Sequence, residues 1–396
     1  MDTKPLRVAM FTDNYYPFIG GVPISIDRLT AGLRALGHSV TVFAPRYPDQ
    51  EPDADPGVVR CKLIRYHKTK LFDFAVTNIF SRDIDAEFAR RGFDVIHVHH
   101  PFWMGVKGKD LGKKYRLPVV YTHHTQYDQY SHYLPVMKGF FQSYISHSII
   151  KRFSQKCDAV FAPVESSKAY LTKLGVTTPI DILPTGICLA AEDAGDAIRR
   201  RFVSGGEALL CSVARLAPEK NIPFLLKGLK RVRELSPVPF RCVVVGDGPE
   251  RGALDRLIRR LDLDGTVVMA GYVPPGDVGN YIRASDLFVF ASKSEVQGVA
   301  LFEAMAGRCP VVAVCCSGAD DVVVDGYNGY RTADDIEEWA GRVAALLNDP
   351  EERRRLADNA YRHAAQFSTE AVAEQAARVY GRIIARKIHT LGGGPL

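Results

Sequence analysis

A chain of 396 residues, 46% hydrophobic and 24% charged, is long enough for two domains with substantial cores and has the composition of an ordinary soluble globular protein. No apolar stretch approaches the ~20 residues of a membrane span, and no signal-type segment precedes the first strand, so the expectation is a protein that stays in the cytoplasm. The net charge of +6 is unevenly placed: residues 1–186 hold 24 Lys and Arg against 17 Asp and Glu, the remainder 27 against 28. Eight scattered cysteines without a Cys-x-x-Cys pair, mostly in or beside apolar strands, argue against disulfides and structural zinc.

The first strand is expected at residues 6–11. A loop containing Gly20 and Gly21 leads to a helix over residues 24–36, and a second strand follows at 39–44. This is a βαβ unit without Gly-x-Gly-x-x-Gly, so a nicotinamide-type fingerprint is missing. Two glycines there are either a plain turn or a place where backbone comes close to phosphates. Further strands are expected at 94–99, 118–124, 158–162 and 181–184, with helical stretches between them. That pattern is a parallel sheet covered on both faces. The first domain should end near Gly186.

Residues 188–207 read as linker and helix, and a second run of strands follows at 208–214, 241–246, 266–270, 287–290 and 310–314. Residues 369–387 form a last helix. The fold class is α/β, with two Rossmann-like, doubly wound domains at 1–186 and 187–368 and a C-terminal segment at 369–396.

Open sheets of this kind bind ligands beyond the carboxyl ends of their strands, where loops hand over to helix N-termini. One such junction is Ser292-Lys-Ser-Glu-Val-Gln-Gly-Val-Ala-Leu-Phe-Glu-Ala-Met-Ala-Gly307. Gly298 and Val299 open its helix, where a diphosphate can approach the backbone. Glu295 on the loop and Glu303, about two helical turns deeper, can accept hydrogen bonds from sugar and ribose hydroxyls. A nucleotide-sugar has that shape, although two glutamates on a surface helix are just as often solvated. In Ala214-Arg-Leu-Ala-Pro-Glu-Lys-Asn221, Arg215 and Lys220 follow a strand, with Pro218 read as opening the next helix. Both can stabilise negative charge developing on a leaving diphosphate.

Ser-Glu-Val-Gln-Gly followed by Glu-Ala-Met-Ala resembles the donor signature of the family 4 retaining glycosyltransferases, and the resemblance extends over nearly the whole chain. It implies the GT-B architecture, with two Rossmann-like domains facing one another across a cleft and the C-terminal helix crossing back to the first. Gly20 and Gly21 would then reach the donor phosphates from the N-terminal side. Arg215 and Lys220 match the family's Arg-Leu-x-x-x-Lys pattern. The loops holding Gly246, Asp247, Tyr272 and Val273 would line base and sugar. His124 matches the acceptor-side catalytic histidine, which orients the substrates. With Arg215, Lys220 and Glu295 it makes up the expected catalytic set.

Other histidines cluster in the sequence, but His97 and His99 should share one strand face while His123 and His124 point oppositely, which defines no metal-ligand set. The Asp-x-Asp triplets at Asp53, Asp83 and Asp262 lie in a polar loop or on helix faces and ends. No metal or other cofactor is expected beyond the sugar nucleotide, and no nucleic-acid partner.

The segment His124-Thr-Gln-Tyr-Asp-Gln-Tyr-Ser-His-Tyr-Leu-Pro135 is similar to the branch that glycosylates diacylglycerol in bacterial membranes. Tyr127 would belong to that acceptor region. Residues 136–153 are aromatic and aliphatic with basic ends, and suit either a core helix or insertion of Phe140 and Phe141 into a bilayer. Residues 101–157 carry nine basic side chains, including Lys113, Lys114, Lys151 and Arg152, against only Asp110 and Asp128. The resemblance therefore implies transfer of glucose from UDP-glucose to a lipid hydroxyl by a peripheral protein on the inner membrane face. A soluble acceptor, a sugar-nucleotide epimerase, or a non-catalytic nucleotide-sugar-binding membrane protein are the alternatives. One departure stands out: where many members have Gly-Gly-x-x-Glu, this chain has Cys315-Cys-Ser-Gly-Ala-Asp-Asp321.

Overall fold

The computed structural model describes residues 4–18, 20–48, 50–68, 73–124, 140–189, 195–390 and 392. Its contacts divide the chain into two compact units: Met1–Gly186 with Thr369–Leu396, and Ile187–Ser368.

Unit 1 runs β1 (Arg7–Phe11), α1 (Gly21–Ala35), β2 (Ser39–Pro45), β3 (Val58–Cys61), β4 (Leu63–Lys68), β5 (Asp73–Thr77), α2 (Arg82–Arg91) and β6 (Val95–Val98). It continues with α3 (Trp103–Tyr115), β7 (Val119–Thr122), α4 (Phe140–Ser154), β8 (Ala159–Ala162), α5 (Glu165–Lys173) and β9 (Ile180–Ile182). Seven strands pair in the order β3-β2-β1-β6-β7-β8-β9. The central strands are apolar on both sides because both faces are covered. Ala9 and Phe11 pack with Phe43, Phe88, Ile96 and Val98, while Val8 and Met10 pack with Ile26, Leu33 and Val42.

Unit 2 runs α6 (Asp196–Phe202), β10 (Ala208–Val213), α7 (Ile222–Leu235), β11 (Phe240–Val245), α8 (Arg251–Arg260), β12 (Val267–Gly271) and α9 (Pro275–Arg283). There follow β13 (Leu287–Phe290), α10 (Val299–Ala306), β14 (Val311–Val314), α11 (Ser317–Asp320), β15 (Gly329–Thr332), α12 (Ile336–Asn348) and α13 (Pro350–Ala365). The sheet order is β12-β11-β10-β13-β14-β15. The last helix, α14 (Thr369–Thr390), belongs to unit 1, where Val372, Ala376 and Tyr380 join the core beside α1. Gly32 allows that contact, since a Cβ there would lie 2.6 Å from the carbonyl oxygen of Thr369.

In each sheet the direction of winding reverses beside the first strand, between β1 and β6 and between β10 and β13. Loops leaving such a pair diverge to opposite faces and leave a crevice at the strand ends. Three features were absent from the sequence reading. The antiparallel hairpin β4–β5 stands outside the main sheet and lacks a continuous apolar run, and β3 and β15 are edge strands of only four residues.

Candidate active site

In unit 2 the loops after β10 and β13 flank the reversal point. Main-chain N–H of Lys293 and Oγ of Ser292 both donate to the carbonyl of Glu219, at 2.9 and 3.2 Å, which locks the two loops together. That register sets Lys220 Nζ 2.5 Å from Glu295 Oε1, with the two side chains only 16% and 15% exposed. Arg215 turns to Glu219 instead, Nη2 to Oε1 2.9 Å, and stays 42% exposed. Pro218 begins only a 3₁₀ turn, Pro218–Lys220; Asn221, with φ 53, breaks it, and α7 starts one residue later.

A third loop supports Glu295 from behind. Ser317 Oγ donates to the Glu295 carbonyl at 3.0 Å, and a Cβ on Gly318 would fall 2.7 Å from Glu295 Cβ. Gly318 thus leaves room for the carboxylate loop. Gly298 takes the left-handed conformation, φ 68 and ψ 49, and turns the chain into α10, whose first amides are the ready-made anion donors of a helix start. Glu303 is half-buried on the second turn of that helix. After β11, Gly246 has φ 131 and lies so close to the Ala214 carbonyl that a Cβ would overlap it. Asp247 accepts from Leu216 N–H at 3.0 Å through its carbonyl, and Tyr272, after β12, is 57% exposed beside half-buried Val273. Residues from the loops after β10, β11, β12, β13 and β14 therefore gather at one sheet edge.

Unit 1 gathers neutral groups at the same kind of edge. His99 follows β6 and His124 follows β7, and His99 Nδ1 lies 2.9 Å from His124 Nε2. The His97 ring packs against His99 with centroids 4.2 Å apart, and its nitrogens meet Tyr380 Oη at 2.7 Å and Thr122 Oγ1 at 2.6 Å. Burial, reinforced by the neighbouring rings, holds His99 and His124 well below the ordinary histidine range; burial alone takes His97 to about 3 and His100 to about 4. All four are neutral at pH 7, so they act as hydrogen-bonding groups and not as cations. His123 faces the other way, 3.2 Å from Tyr121 Oη.

Sequence reasoning missed Asp13, which follows β1. Its Oδ1 accepts the Met104 N–H at 2.8 Å near the start of α3, its own N–H donates to His100 Nδ1 at 3.1 Å, and its Oδ2 is buried without a hydrogen-bond partner. Burial pushes this carboxyl up to about 7. Only a lone polar residue in a loop marks it in the sequence. Gly20 is the extended residue before α1, and a Cβ on Gly21 would meet nothing within 4 Å.

The expected membrane residues are only partly covered. Tyr127 lies outside the described residues, as do the side chains of Phe140 and Phe141. Further along α4, Ile150 and Phe153 are buried in the unit 1 core. Lys107 and Lys114 both pair with Asp85 of α2, so part of the basic patch is neutralised; Lys113 and Arg152 are exposed and Lys151 is half-buried. The acidic triplets are engaged as well: Asp53 with Arg60, Asp55 with Arg34, Asp83 with Lys62, and Asp262 with Arg233.

Two doubly wound parallel sheets, each with loops gathered at its reversal point, define a protein of the nucleotide-binding α/β class. Residues 19–191 match the family model described as Glycosyltransferase Family 4, and residues 196–363 match that described as Glycosyl transferases group 1. The chain belongs to the family 4 glycosyltransferases, and its fold is GT-B. It is 28% identical over 387 residues to the alpha-monoglucosyldiacylglycerol synthase of Acholeplasma laidlawii, covering 95% of this chain and 96% of that one. To the synthase of the same name from Streptococcus pneumoniae it is 30% identical over 318 residues, covering 78% and 71%. Among solved structures, Anabaena HepE in complex with UDP and glucose superposes with a TM-score of 0.74 at 18% identity, covering 95% of this chain and all of that one.

Proposed function

We propose that the protein is a retaining hexosyltransferase that moves glucose from UDP-glucose to the free hydroxyl of diacylglycerol, working peripherally at the inner face of the cell membrane. The observation that carries the catalytic reading is the Lys220–Glu295 pair at the reversal point of unit 2, beside the start of α10. The lipid acceptor is supported by the two relatives named for monoglucosyldiacylglycerol synthesis, which match most of the chain. No helix among the described residues is long and apolar enough to cross a membrane.

In this reading unit 2 holds the donor. Gly246, Asp247, Tyr272 and Val273 border the base and sugar, Gly298 and Val299 present backbone to the diphosphate, and Glu303 accepts hydroxyl hydrogen bonds. The bond from the sugar C1 to the β-phosphate oxygen breaks with its electron pair going to that oxygen. Arg215, Lys220 and the α10 amides stabilise the charge so formed, more strongly in the transition state than in the ground state. The acceptor oxygen bonds C1 from the same face, and its proton passes to the departing phosphate, which gives UDP and an α-glucoside. His124, neutral and held by His99, orients the substrates. Because fixed cations already serve the leaving group, transfer is proposed to need no divalent metal; a strict Mg²⁺ or Mn²⁺ requirement overturns that part.

The test incubates purified protein with radiolabelled sugar nucleotides and a bacterial lipid extract, and follows label into the organic phase. Label from UDP-glucose in an α-linked glucosyldiacylglycerol supports the proposal. Transfer only to a water-soluble acceptor overturns the lipid part, and consumption of donor without any acceptor overturns the transferase reading. Lys220→Ala should abolish transfer in a folded protein.

A further inference from the structure

Two of the most solvent-exposed apolar side chains of unit 1 lie on a corner that the catalytic residues do not use. Phe80 is 83% exposed and Ile64 is 63% exposed. They belong to one local structure: Ile64 is on β4, Phe80 is in the turn between β5 and α2, Leu63 pairs with Thr77, and the Asn78 N–H donates to the Lys62 carbonyl at 2.8 Å. The same and neighbouring segments carry cations. Arg46, Arg65 and Arg82 are exposed, and Lys62 is 68% exposed beside its partner Asp83 at 3.1 Å. A recess of about 180 Å³ between β3 and α2 has Arg46, Arg60, Lys62, Ser81, Asp83 and Glu87 among its lining residues. Arg46 follows β2 and Lys62 follows β3, so this corner lies at the same edge of the unit 1 sheet as His99 and His124, which follow β6 and β7.

We propose that this corner docks the protein on an anionic bilayer, with Phe80 and Ile64 entering the acyl boundary while Arg46, Lys62, Arg65 and Arg82 meet lipid phosphates. Apolar residues ringed by arginine and lysine are what a charged interface holds: the apolar part is removed from water, and each cation near an anionic surface adds attraction. The proposal rests on the lipid-acceptor reading above and relocates its contact surface. The patch indicated by the sequence is partly neutralised by Asp85 and partly buried through Ile150 and Phe153. At the β4 corner Lys62 is likewise paired with Asp83, but Phe80, Ile64, Arg46, Arg65 and Arg82 are all exposed.

The experiment uses the full chain and two variants, Ile64→Ser/Phe80→Ser and Arg65→Glu/Arg82→Glu. Binding is measured by co-sedimentation with vesicles of phosphatidylglycerol and phosphatidylcholine, and with phosphatidylcholine alone. Glucosyl transfer to diacylglycerol in detergent micelles is measured separately. The wild type should bind the anionic vesicles and not the neutral ones. Each variant should bind them at least about tenfold more weakly, with unchanged Tm and micellar turnover. Unaltered vesicle binding in both variants overturns the proposal, as does a wild type that ignores vesicles but self-associates through these residues. If micellar transfer is absent from every protein while the variants still lose vesicle binding, docking stands and the acceptor reading falls.

Discussion

Glu295→Gln gives the sharpest test of the donor site, because the structure predicts that it changes binding and turnover in opposite directions. Lys220 and Glu295 are 2.5 Å apart and mostly shielded from solvent. A diphosphate arriving at the start of α10 must compete with the Glu295 carboxylate for the same ammonium. The amide keeps the side chain's size and one acceptor oxygen but removes the competing charge. With the amide, Lys220 keeps a hydrogen bond to an uncharged acceptor but loses the ion-pair attraction, so its contribution falls from the upper to the lower part of the roughly 1.5–3 kcal/mol range for bonds to charged groups. The difference lightens the exchange by roughly 1 kcal/mol, which corresponds to about a fivefold tighter Kd for UDP, since 1.4 kcal/mol is tenfold. Turnover with UDP-glucose should fall by about 10²-fold or more, because on the proposed donor site the carboxylate freed from Lys220 accepts a sugar hydroxyl. Calorimetric titration with UDP, which lacks the sugar, isolates the phosphate contribution. Weaker or equal UDP binding in Glu295→Gln refutes the exchange and leaves Lys220 as a purely structural partner.

Three further outcomes follow from individual contacts. Gly318→Ala puts a methyl group 2.7 Å from Glu295 Cβ, so the carboxylate loop must move; kcat/KM should drop by about 10–100-fold while the far-ultraviolet circular dichroism is unchanged, and full activity would show that the loop tolerates the shift. Tyr380→Phe leaves a buried His97 nitrogen without its partner and should cost about 1–3 kcal/mol in denaturant unfolding, with no loss meaning that this bond contributes nothing. Acid should destabilise unit 1 through its histidines. The unfolded chain takes up protons near the ordinary value of 6.5, whereas the fold holds His100 at about 4, so this contribution is complete above pH 6.5 and is lost as the pH falls toward 4. Asp13 acts oppositely, its neutral form being favoured in the fold up to about 7, so the effect is read as the difference in Tm against pH between wild type and His100→Asn. Identical slopes would refute it.

The central strands were legible because burial on both faces writes an unbroken apolar run into the sequence: Leu287–Phe290 is such a run, with all four residues buried. Helix α10 was legible from Gly298 and Gly307 at its ends. The β4–β5 hairpin was not, since a two-stranded ribbon outside the sheet buries too little to impose a pattern. At the site, strand-end position together with the family resemblance brought Glu295 and Lys220 forward as separate candidates 75 positions apart, but nothing local records that they touch; that follows from strand order placing β10 beside β13. Arg215 shows the converse. Its position after β10 suggested a free cation, yet Glu219, read only as part of a motif, holds its guanidinium. Asp13 and the His99–His124 contact were hidden for the same reason, being products of strand adjacency.

Charge and chemistry are divided between the units in a way that net charge alone does not reveal. The half of the chain with the surplus of cations, residues 1–186, ends its sheet in neutral histidines and a carboxyl titrating near 7, which offer no strong field to a diphosphate. The remainder, with 27 basic against 28 acidic residues, concentrates Lys220, Arg215 and the start of α10 at one point. Recognition of a leaving phosphate therefore depends on where a few groups are fixed and not on the overall balance, since preorganised charge in a shielded crevice outweighs distant charge screened beyond about 10 Å. On the docking proposed above, the exposed Arg46, Arg65 and Arg82, with Phe80 and Ile64, would face the anionic surface, and the neutral histidines at the same edge of the unit 1 sheet would meet a lipid hydroxyl.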